Sequence, residues 1–105
     1  MEKFIEVMLL LDIYGNLLTD KRKQTLSLYY NEDYSLQEIA DFLGITKQGV
    51  RDALVQGEKS LYHYEKNLKI LSQNLEQDKI LRSVVNQIDD EDIKQTLSRL
   101  IYYEE

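Results

Sequence analysis

The stretch SLQEIADFLGITKQGVRDAL, residues 35–54, decides the fold, because its residue types have the spacing of a helix-turn-helix. Ser35 is a favourable N-cap, and Glu38 three positions later completes a capping box. Gly44 readily adopts positive φ and ends the first helix, and Thr46 caps the second. Apolar residues at helical spacing predict the buried side of each helix: Leu36, Ile39, Ala40 and Leu43 in the first, and Val50, Ala53 and Leu54 in the second.

The start of the second helix of this motif carries an exposed polar face. Its residues are Lys47, Gln48, Arg51 and Asp52. In a helix-turn-helix, the N-terminal residues of the second helix face the DNA major groove. An αα-corner in an ordinary helical domain has the same pattern, so the motif predicts the fold more specifically than it predicts DNA binding.

Composition favours one small helical domain. The chain has 105 residues, with 4 glycines and no proline, which favours long helices. It has no cysteine, which excludes disulfides and thiolate metal sites and is typical of a reducing cytoplasm. The apolar stretch at residues 4–14 is shorter than the about 20 residues that span a bilayer, and it lacks signal-peptide features. We therefore expect a cytoplasmic protein without membrane insertion, whose first helix is buried on most sides.

The charge is unevenly distributed along the chain. The net charge of −6 disfavours a general nucleic-acid binder, because affinity for phosphates depends on Lys and Arg. Residues 19–30, which include Lys21, Arg22 and Lys23, and residues 47–69 are nevertheless positive. This distribution suits a basic edge on an acidic body, although helix-dipole and solubility effects can produce the same partition.

Six helices are predicted. The first three cover about 2–14, 19–30 with Thr19 as N-cap, and 36–43. The fourth begins after Thr46 and is long, the fifth covers about 77–88, and the sixth begins in the acidic run at 89–92 and continues through Leu100 and Ile101. We expect a single all-α domain over residues 1–105, with a helix-turn-helix core at 19–62 and a C-terminal helical extension at 63–105.

Leucines repeat every seven residues along the predicted fourth helix, at Leu54, Leu61, Leu68 and Leu75. This repeat predicts one long helix with an apolar seam. The seam packs either on the fifth and sixth helices or on the same helix of a second copy, so a homodimer is one expectation. Gly57 lies on this seam and allows a neighbouring helix to approach closely.

No arrangement of residues indicates catalysis. The one histidine, His63, lies in no metal-binding spacing, and the acidic run at 89–92 is explained by the N-terminus of a helix. The four glycines are scattered, so the chain has no phosphate-binding loop. We therefore expect a protein that is not an enzyme and that holds no cofactor or metal.

Two resemblances extend this interpretation. The run from Leu18-Thr-Asp-Lys-Arg-Lys through Tyr29-Tyr30 to Arg51 resembles region 4 of bacterial sigma factors, which recognises the promoter −35 element. Nearly the whole chain resembles the YlxM family of small helix-turn-helix proteins of Gram-positive bacteria, through the apolar first helix, Asp33-Tyr34-Ser35 and the extension Tyr64-Glu-Lys-Asn-Leu68. The resemblance implies an all-α, sigma region 4-like helix-turn-helix with an extra N-terminal helix, a long fourth helix and a C-terminal helical pair.

The YlxM family is linked to the signal recognition particle, because its genes typically lie beside the gene of the particle's GTPase. The resemblance therefore implies a regulator in that pathway, and two functions are expected. In the first, the protein binds DNA or the particle's RNA, and Lys21, Arg22 and Lys23 contact phosphates. Base edges are then approached by the recognition face: Lys47, Gln48 and Arg51, with Asp52 beside them. In the second, the protein is an interaction module that binds the particle's GTPase and no DNA.

Overall fold

A computed structural model describes residues 1–103, which form six α-helices and no strand. The helices are α1 (Lys3–Tyr14), α2 (Asp20–Tyr30), α3 (Leu36–Leu43), α4 (Lys47–Leu68), α5 (Ile70–Val85) and α6 (Glu91–Ser98), with a 3₁₀ turn at Gly15–Leu17 after α1. The predicted all-α class is confirmed. The chain divides into two compact units, the first ending at Leu68 and the second beginning at Lys69.

Side-chain caps set the starts of four helices, α2, α3, α4 and α6. The Thr19 hydroxyl oxygen accepts a hydrogen bond from the Arg22 N–H at 3.3 Å and begins α2. Ser35 and Glu38 form the predicted reciprocal capping box at the start of α3. The Asp90 carboxylate accepts from two backbone N–H groups and begins α6 inside the predicted acidic run. These bonds use orphan N–H groups of the first turn, so short-range sequence is enough to position them.

The first unit is built around α4, on which α1, α2 and α3 all pack. Its fully buried apolar side chains come from all four helices: Val7, Leu10, Tyr14, Leu26, Ile39, Val50 and Leu61. As expected, α1 is covered on most sides. Within Lys3–Tyr14 the exposed residues are Lys3, Phe4, Ile5 and Asp12, and Ile5 is 48% exposed.

The helices α2 and α4 pack tightly at Gly57. A Cβ atom at this position would lie 2.6 Å from Leu26 Cδ1 and 3.8 Å from Arg22 Cβ. Leu26 is completely buried, so its side chain has little room to move aside. The close helix approach predicted at Gly57 is confirmed, and the neighbouring helix is α2.

Replacing Gly57 by alanine is expected to lower the free energy of unfolding by about 1–2 kcal/mol. Overpacking typically costs about 1–3 kcal/mol, while alanine regains up to about 1 kcal/mol of helix propensity. Urea denaturation of Gly57→Ala measures the change. The neighbouring exposed position, in Gln56→Ala, is the matched control and should differ from wild type by less than about 0.5 kcal/mol. A Gly57→Ala variant more stable than wild type would contradict the tight approach.

The leucine seam does not continue along one helix. The fourth helix ends at Leu68, and Lys69 adopts a left-handed backbone, with φ 57° and ψ 29°, before α5 begins at Ile70. The prediction of one helix through Leu75 is therefore wrong, as is the predicted start of the fifth helix near residue 77. The earlier leucines of the repeat, Leu54 and Leu61, are instead buried in the first unit.

In the second unit, polar contacts attach the C-terminal tail to α5. Asp78 is 1% exposed, and its two carboxylate oxygens accept from the backbone N–H groups of Tyr102, at 2.7 Å, and Tyr103, at 2.9 Å. The Arg82 guanidinium donates to the Tyr103 carbonyl oxygen, and the Asn74 amide donates to the Tyr103 hydroxyl at 3.1 Å. The tail is thus held mainly through its backbone.

The sixth helix ends at Ser98, before the residues that Asp78 binds. Leu100 and Ile101 lie beyond its last residue, Ser98, so the prediction that α6 continues through them is wrong. Their N–H groups donate to carbonyls three residues earlier, in a tight final turn. The backbone then leaves helical geometry, and Asp78 binds the next two N–H groups.

Asp78→Asn is expected to release the tail. Asparagine keeps the size of the side chain but has one acceptor oxygen, so one of the two backbone N–H groups loses its charged acceptor at a cost of about 1–3 kcal/mol. Hydrogen exchange of the Tyr102 and Tyr103 amides should therefore accelerate by about 5-fold to 150-fold. Glu76→Gln, at an exposed site on the same helix, makes the same chemical change and should leave both rates unaltered. Equal protection in both variants would show that the carboxylate does not hold the tail.

Candidate nucleic-acid interface

The turn between α3 and α4 has the geometry that the sequence predicts. Gly44 adopts φ 68° and ψ 34°, and its N–H and that of Ile45 both donate to the Ala40 carbonyl oxygen. The Thr46 hydroxyl oxygen then accepts from the Gly49 N–H at 3.0 Å and caps α4. The chain therefore forms a helix-turn-helix with α4 as its second helix.

Gly49 fits the cap at the start of α4. A Cβ atom there would lie 3.2 Å from the Thr46 hydroxyl oxygen and 3.8 Å from Ile45 Cδ1. A larger residue would therefore press on the oxygen that receives the Gly49 N–H. The sequence alone gives no packing reason for this glycine, whereas the structure supplies one.

The predicted recognition face is exposed. Lys47, Gln48, Arg51 and Asp52 all lie on the solvent side of the first two turns of α4. The Gln48 side-chain amide donates to the Asp52 carboxylate at 3.0 Å. This bond orients the Gln48 amide and leaves its oxygen and its second N–H able to bind an external group.

A cleft of about 530 Å³ lies between the start of α2 and the start of α4. Its lining residues come from both helices and the cap before α2: Thr19, Lys21, Arg22, Gly49, Asp52, Ala53 and Gln56. The structure therefore brings Lys21 and Arg22 together with Asp52. The other three residues of the recognition face do not line the cleft and lie on the exposed start of α4.

Lys23 lies elsewhere. Its ammonium group donates to the Asn16 side-chain oxygen at 2.5 Å, and it lines a different cleft together with Met8 and Leu11 of α1. The structure does not bring Lys23 to the cleft between α2 and α4. Its role as a phosphate contact stays a prediction.

The two helix starts form a locally basic region. Residues 19–22 and 47–52, which leave out Lys23, contain four basic and two acidic side chains, in a chain whose net charge is −6. The unpaired N–H groups and the dipole at the N-terminus of each helix add further positive potential. The region therefore suits an anionic ligand.

Two further side chains of α4 extend the candidate interface. Val55 is half exposed one turn after Arg51, and Gln56 is exposed one turn after Asp52, where it lines the cleft. Their spacing of four residues from the predicted site residues is the signal that would have identified them.

A separate group of titratable side chains lies where α1, α2 and α4 meet. Lys3 forms an ion pair with Glu58 at 3.1 Å. Burial, together with the Glu6 carboxylate, raises the pKa of Tyr62 to about 12, and burial, together with Glu58, raises the pKa of Tyr30. Both tyrosines are thus favoured as neutral phenols inside the folded unit.

This group makes stability depend on pH in the alkaline range. Because the pKa of Tyr62 is about 12 in the folded state and about 10 when unfolded, the unfolded chain loses the phenolic proton first. The stabilisation is complete below pH 10 and is lost as the pH rises to about 12. The Tm should therefore fall across this interval, and Tyr62→Phe should reduce the fall. Thermal unfolding from pH 8 to 12 tests this expectation, and equal slopes for variant and wild type would contradict it.

The described residues contain neither a group of side chains placed to bind a metal nor a helix able to span a membrane. Residues 1–103 contain no group of three or more His, Cys, Asp or Glu side chains placed to hold a metal ion. In the same range, no helix has the length and apolarity needed to cross a membrane.

Comparison with known proteins identifies the family. The family model of UPF0122, the helix-turn-helix proteins that are YlxM / p13 like, matches residues 1–101. A UPF0122 protein of Desulforamulus reducens is 40% identical over 89 residues, covering 85% of this chain and 76% of the relative. UPF0122 proteins of Caldanaerobacter subterraneus and Clostridium kluyveri are 42% and 41% identical, covering 79% and 85% of this chain and 71% and 80% of the relatives. The resemblance seen in the sequence is confirmed, and the chain belongs to the UPF0122 family of YlxM / p13-like helix-turn-helix proteins.

Proposed function

We propose that this protein is a regulator that binds nucleic acid through the starts of α4 and α2, acting by binding and not by catalysis, in the cytoplasm. The observation that carries the proposal is the position of the exposed face of α4 beside a cleft that contains Lys21 and Arg22. A helix-turn-helix uses these two surfaces for different tasks, since contacts to phosphates position the protein and contacts to bases give specificity.

The recognition face has side chains that match base edges. Arg51 and Lys47 suit the two acceptors of guanine, and a glutamine amide suits the donor and acceptor of adenine. The Asp52 carboxylate orients Gln48 at 3.0 Å, so the glutamine is already positioned before a base arrives. Val55 adds an apolar contact of the type that thymine methyl groups receive.

The residues at the start of α2 bind phosphates in this proposal. Lys21 is exposed and Arg22 is half-buried, so the latter presents its guanidinium from a fixed stem. The stem begins beside Gly57 of α4, where an added Cβ atom would lie 3.8 Å from the Arg22 Cβ. With few cations and a net charge of −6, binding should be weak in general and strongly dependent on salt.

The geometry favours duplex DNA over duplex RNA, because the major groove of A-form RNA is too narrow and deep for a helix. The family link to the signal recognition particle makes the particle's RNA the second ligand to test. If that RNA binds, we propose that it does so through a loop or bulge whose bases are accessible.

Arg51→Ala is expected to weaken nucleic-acid binding by about 1–3 kcal/mol, which is roughly 5-fold to 150-fold. Fluorescence anisotropy with pools of genomic DNA fragments and with the particle's RNA, at low salt, measures the change. Lys66→Ala removes an exposed cation from the last turn of α4 and is the matched control. Lys21→Ala should instead weaken binding to all sequences and reduce the salt slope by about one.

The two ligands give different results in this experiment. Binding of DNA fragments that Arg51→Ala impairs, and that added salt weakens, supports the proposal. Binding of the RNA alone, with the same dependence on Arg51, supports it with RNA as the ligand. If neither ligand binds at low salt, or if Arg51→Ala and Lys66→Ala behave alike, nucleic-acid binding through α4 is rejected.

A protein partner is the second candidate function. Its supporting observations are the acidic net charge and the exposed apolar side chains of the first unit, among them Ile5, Leu17 and Phe42. In this alternative the partner is the GTPase of the signal recognition particle, and no DNA is bound. Calorimetric titration with the GTPase, with and without its RNA, distinguishes the two functions, and absence of heat in both titrations removes this candidate.

A further inference from the structure

Phe42 presents a large aromatic side chain on the exposed face of α3. It is 61% exposed, and within residues 1–103 only Met1 has a more exposed large apolar side chain. Its ring forms an edge-to-face pair with the ring of Tyr34, with centroids 6.0 Å apart and planes at 89°. Such a pair covers a face of only one ring. Most of the Phe42 ring is therefore available to a partner.

Tyr34 connects this ring pair to a cleft of about 520 Å³ along α2. Leu28 gives the cleft lining an apolar part, and Asp20 and Glu32 contribute carboxylates. Within the described chain, the lining has these two acids and one base, Lys23. Because Tyr34 belongs to both features, the cleft and the ring pair form one continuous surface.

The charge around the ring pair is negative. Residues 31–46 contain no Lys, Arg or His and four acids: Glu32, Asp33, Glu38 and Asp41. Glu38 precedes Phe42 by one helical turn, a spacing that makes two side chains neighbours on a helix surface. Glu38 and Asp41 accept hydrogen bonds within the α3 segment, from the Ser35 N–H and the Gln37 amide. Both donors are neutral, so the surface keeps its negative charge.

We propose that the Tyr34–Phe42 pair, the adjoining cleft and the carboxylates around them form a docking surface for an arginine-bearing segment of a partner protein. An arginine guanidinium stacks on aromatic rings and also pairs with carboxylates through its fork of N–H donors. This surface offers both kinds of contact side by side, and Leu28 adds an apolar contact for a neighbouring side chain of the same segment.

Charge disfavours the other occupants of this surface. The four acids repel the phosphates of a nucleic acid, so this surface has a different ligand from the starts of α4 and α2. A second copy of the chain has a net charge of −6 and is also repelled overall. The inference thus goes beyond nucleic-acid binding and does not depend on it.

A labelled peptide of four Arg-Ser-Leu repeats, titrated with the full-length chain at low salt and followed by fluorescence anisotropy, tests the proposal. Its Lys-Ser-Leu analogue has the same charge and should bind less tightly, because an ammonium cannot form the bidentate fork. Phe42→Ala should weaken binding of the arginine peptide by about two- to fivefold, whereas Phe42→Trp should retain it. Leu17→Ala removes an apolar side chain that is 56% exposed and is the matched control.

A pair of double variants separates local charge from net charge. Glu32→Gln/Asp41→Asn removes two carboxylates beside the rings and should weaken binding of the arginine peptide by about two- to tenfold. Asp89→Asn/Glu91→Gln makes the same chemical change in the acidic run at residues 89–92 and should have a smaller effect. All the substituted side chains are exposed, so the variants should keep the fold.

The proposal is overturned if the arginine peptide does not bind at about 1 mM, if Phe42→Ala and Leu17→Ala bind it alike, or if both double variants lose affinity equally. Sedimentation of the chain without peptide tests the remaining occupant. Self-association that Phe42→Ala abolishes would assign the surface to a second copy and also overturn the proposal. Because no nucleic acid is present, these results are independent of the proposed function.

Discussion

The contact between α2 and α4 at Gly57 is the constraint on which the first unit depends. The absence of a side chain there lets Leu26 pack directly against the α4 backbone, with only 2.6 Å between its Cδ1 and the place of a missing Cβ. The same crossing positions the stem of Arg22, whose Cβ lies 3.8 Å from that place. Core packing and the candidate interface therefore share one contact, because the start of α2 cannot move away from α4 without opening the core.

The candidate interface combines local positive charge with an acidic body. Four basic side chains, Lys21, Arg22, Lys47 and Arg51, lie at the two helix starts, while the whole chain carries a net charge of −6. Long-range attraction to a polyanion is consequently small, and short-range contacts must supply most of the affinity. The bond between Gln48 and Asp52 suits a site that depends on short-range contacts, because the Asp52 carboxylate orients an amide that can contact a base.

The second unit is held together in a different way. A buried carboxylate, Asp78, binds two successive backbone N–H groups of the tail, while α6 contributes no buried side chain. Hydrogen bonds to a charged group are about twice as strong as neutral ones, and they fix geometry more closely than apolar contacts do. Such a unit can have a defined shape although it buries few apolar side chains.

The sequence by itself determined those features that depend on neighbouring residues. The capping box at Ser35, the left-handed turn at Gly44 and the bounds of the third helix follow from interactions over a few positions, so a linear pattern contains them. The family resemblance also lies in the linear sequence. Tertiary structure alone decided the break at Lys69, because a lysine in left-handed conformation carries no sequence signal and the leucine repeat continues across it. It also decided that Lys21 and Arg22 share a cleft with Asp52 while Lys23 pairs with Asn16, since neighbouring positions on a helix point in different directions and only packing sets what each one meets.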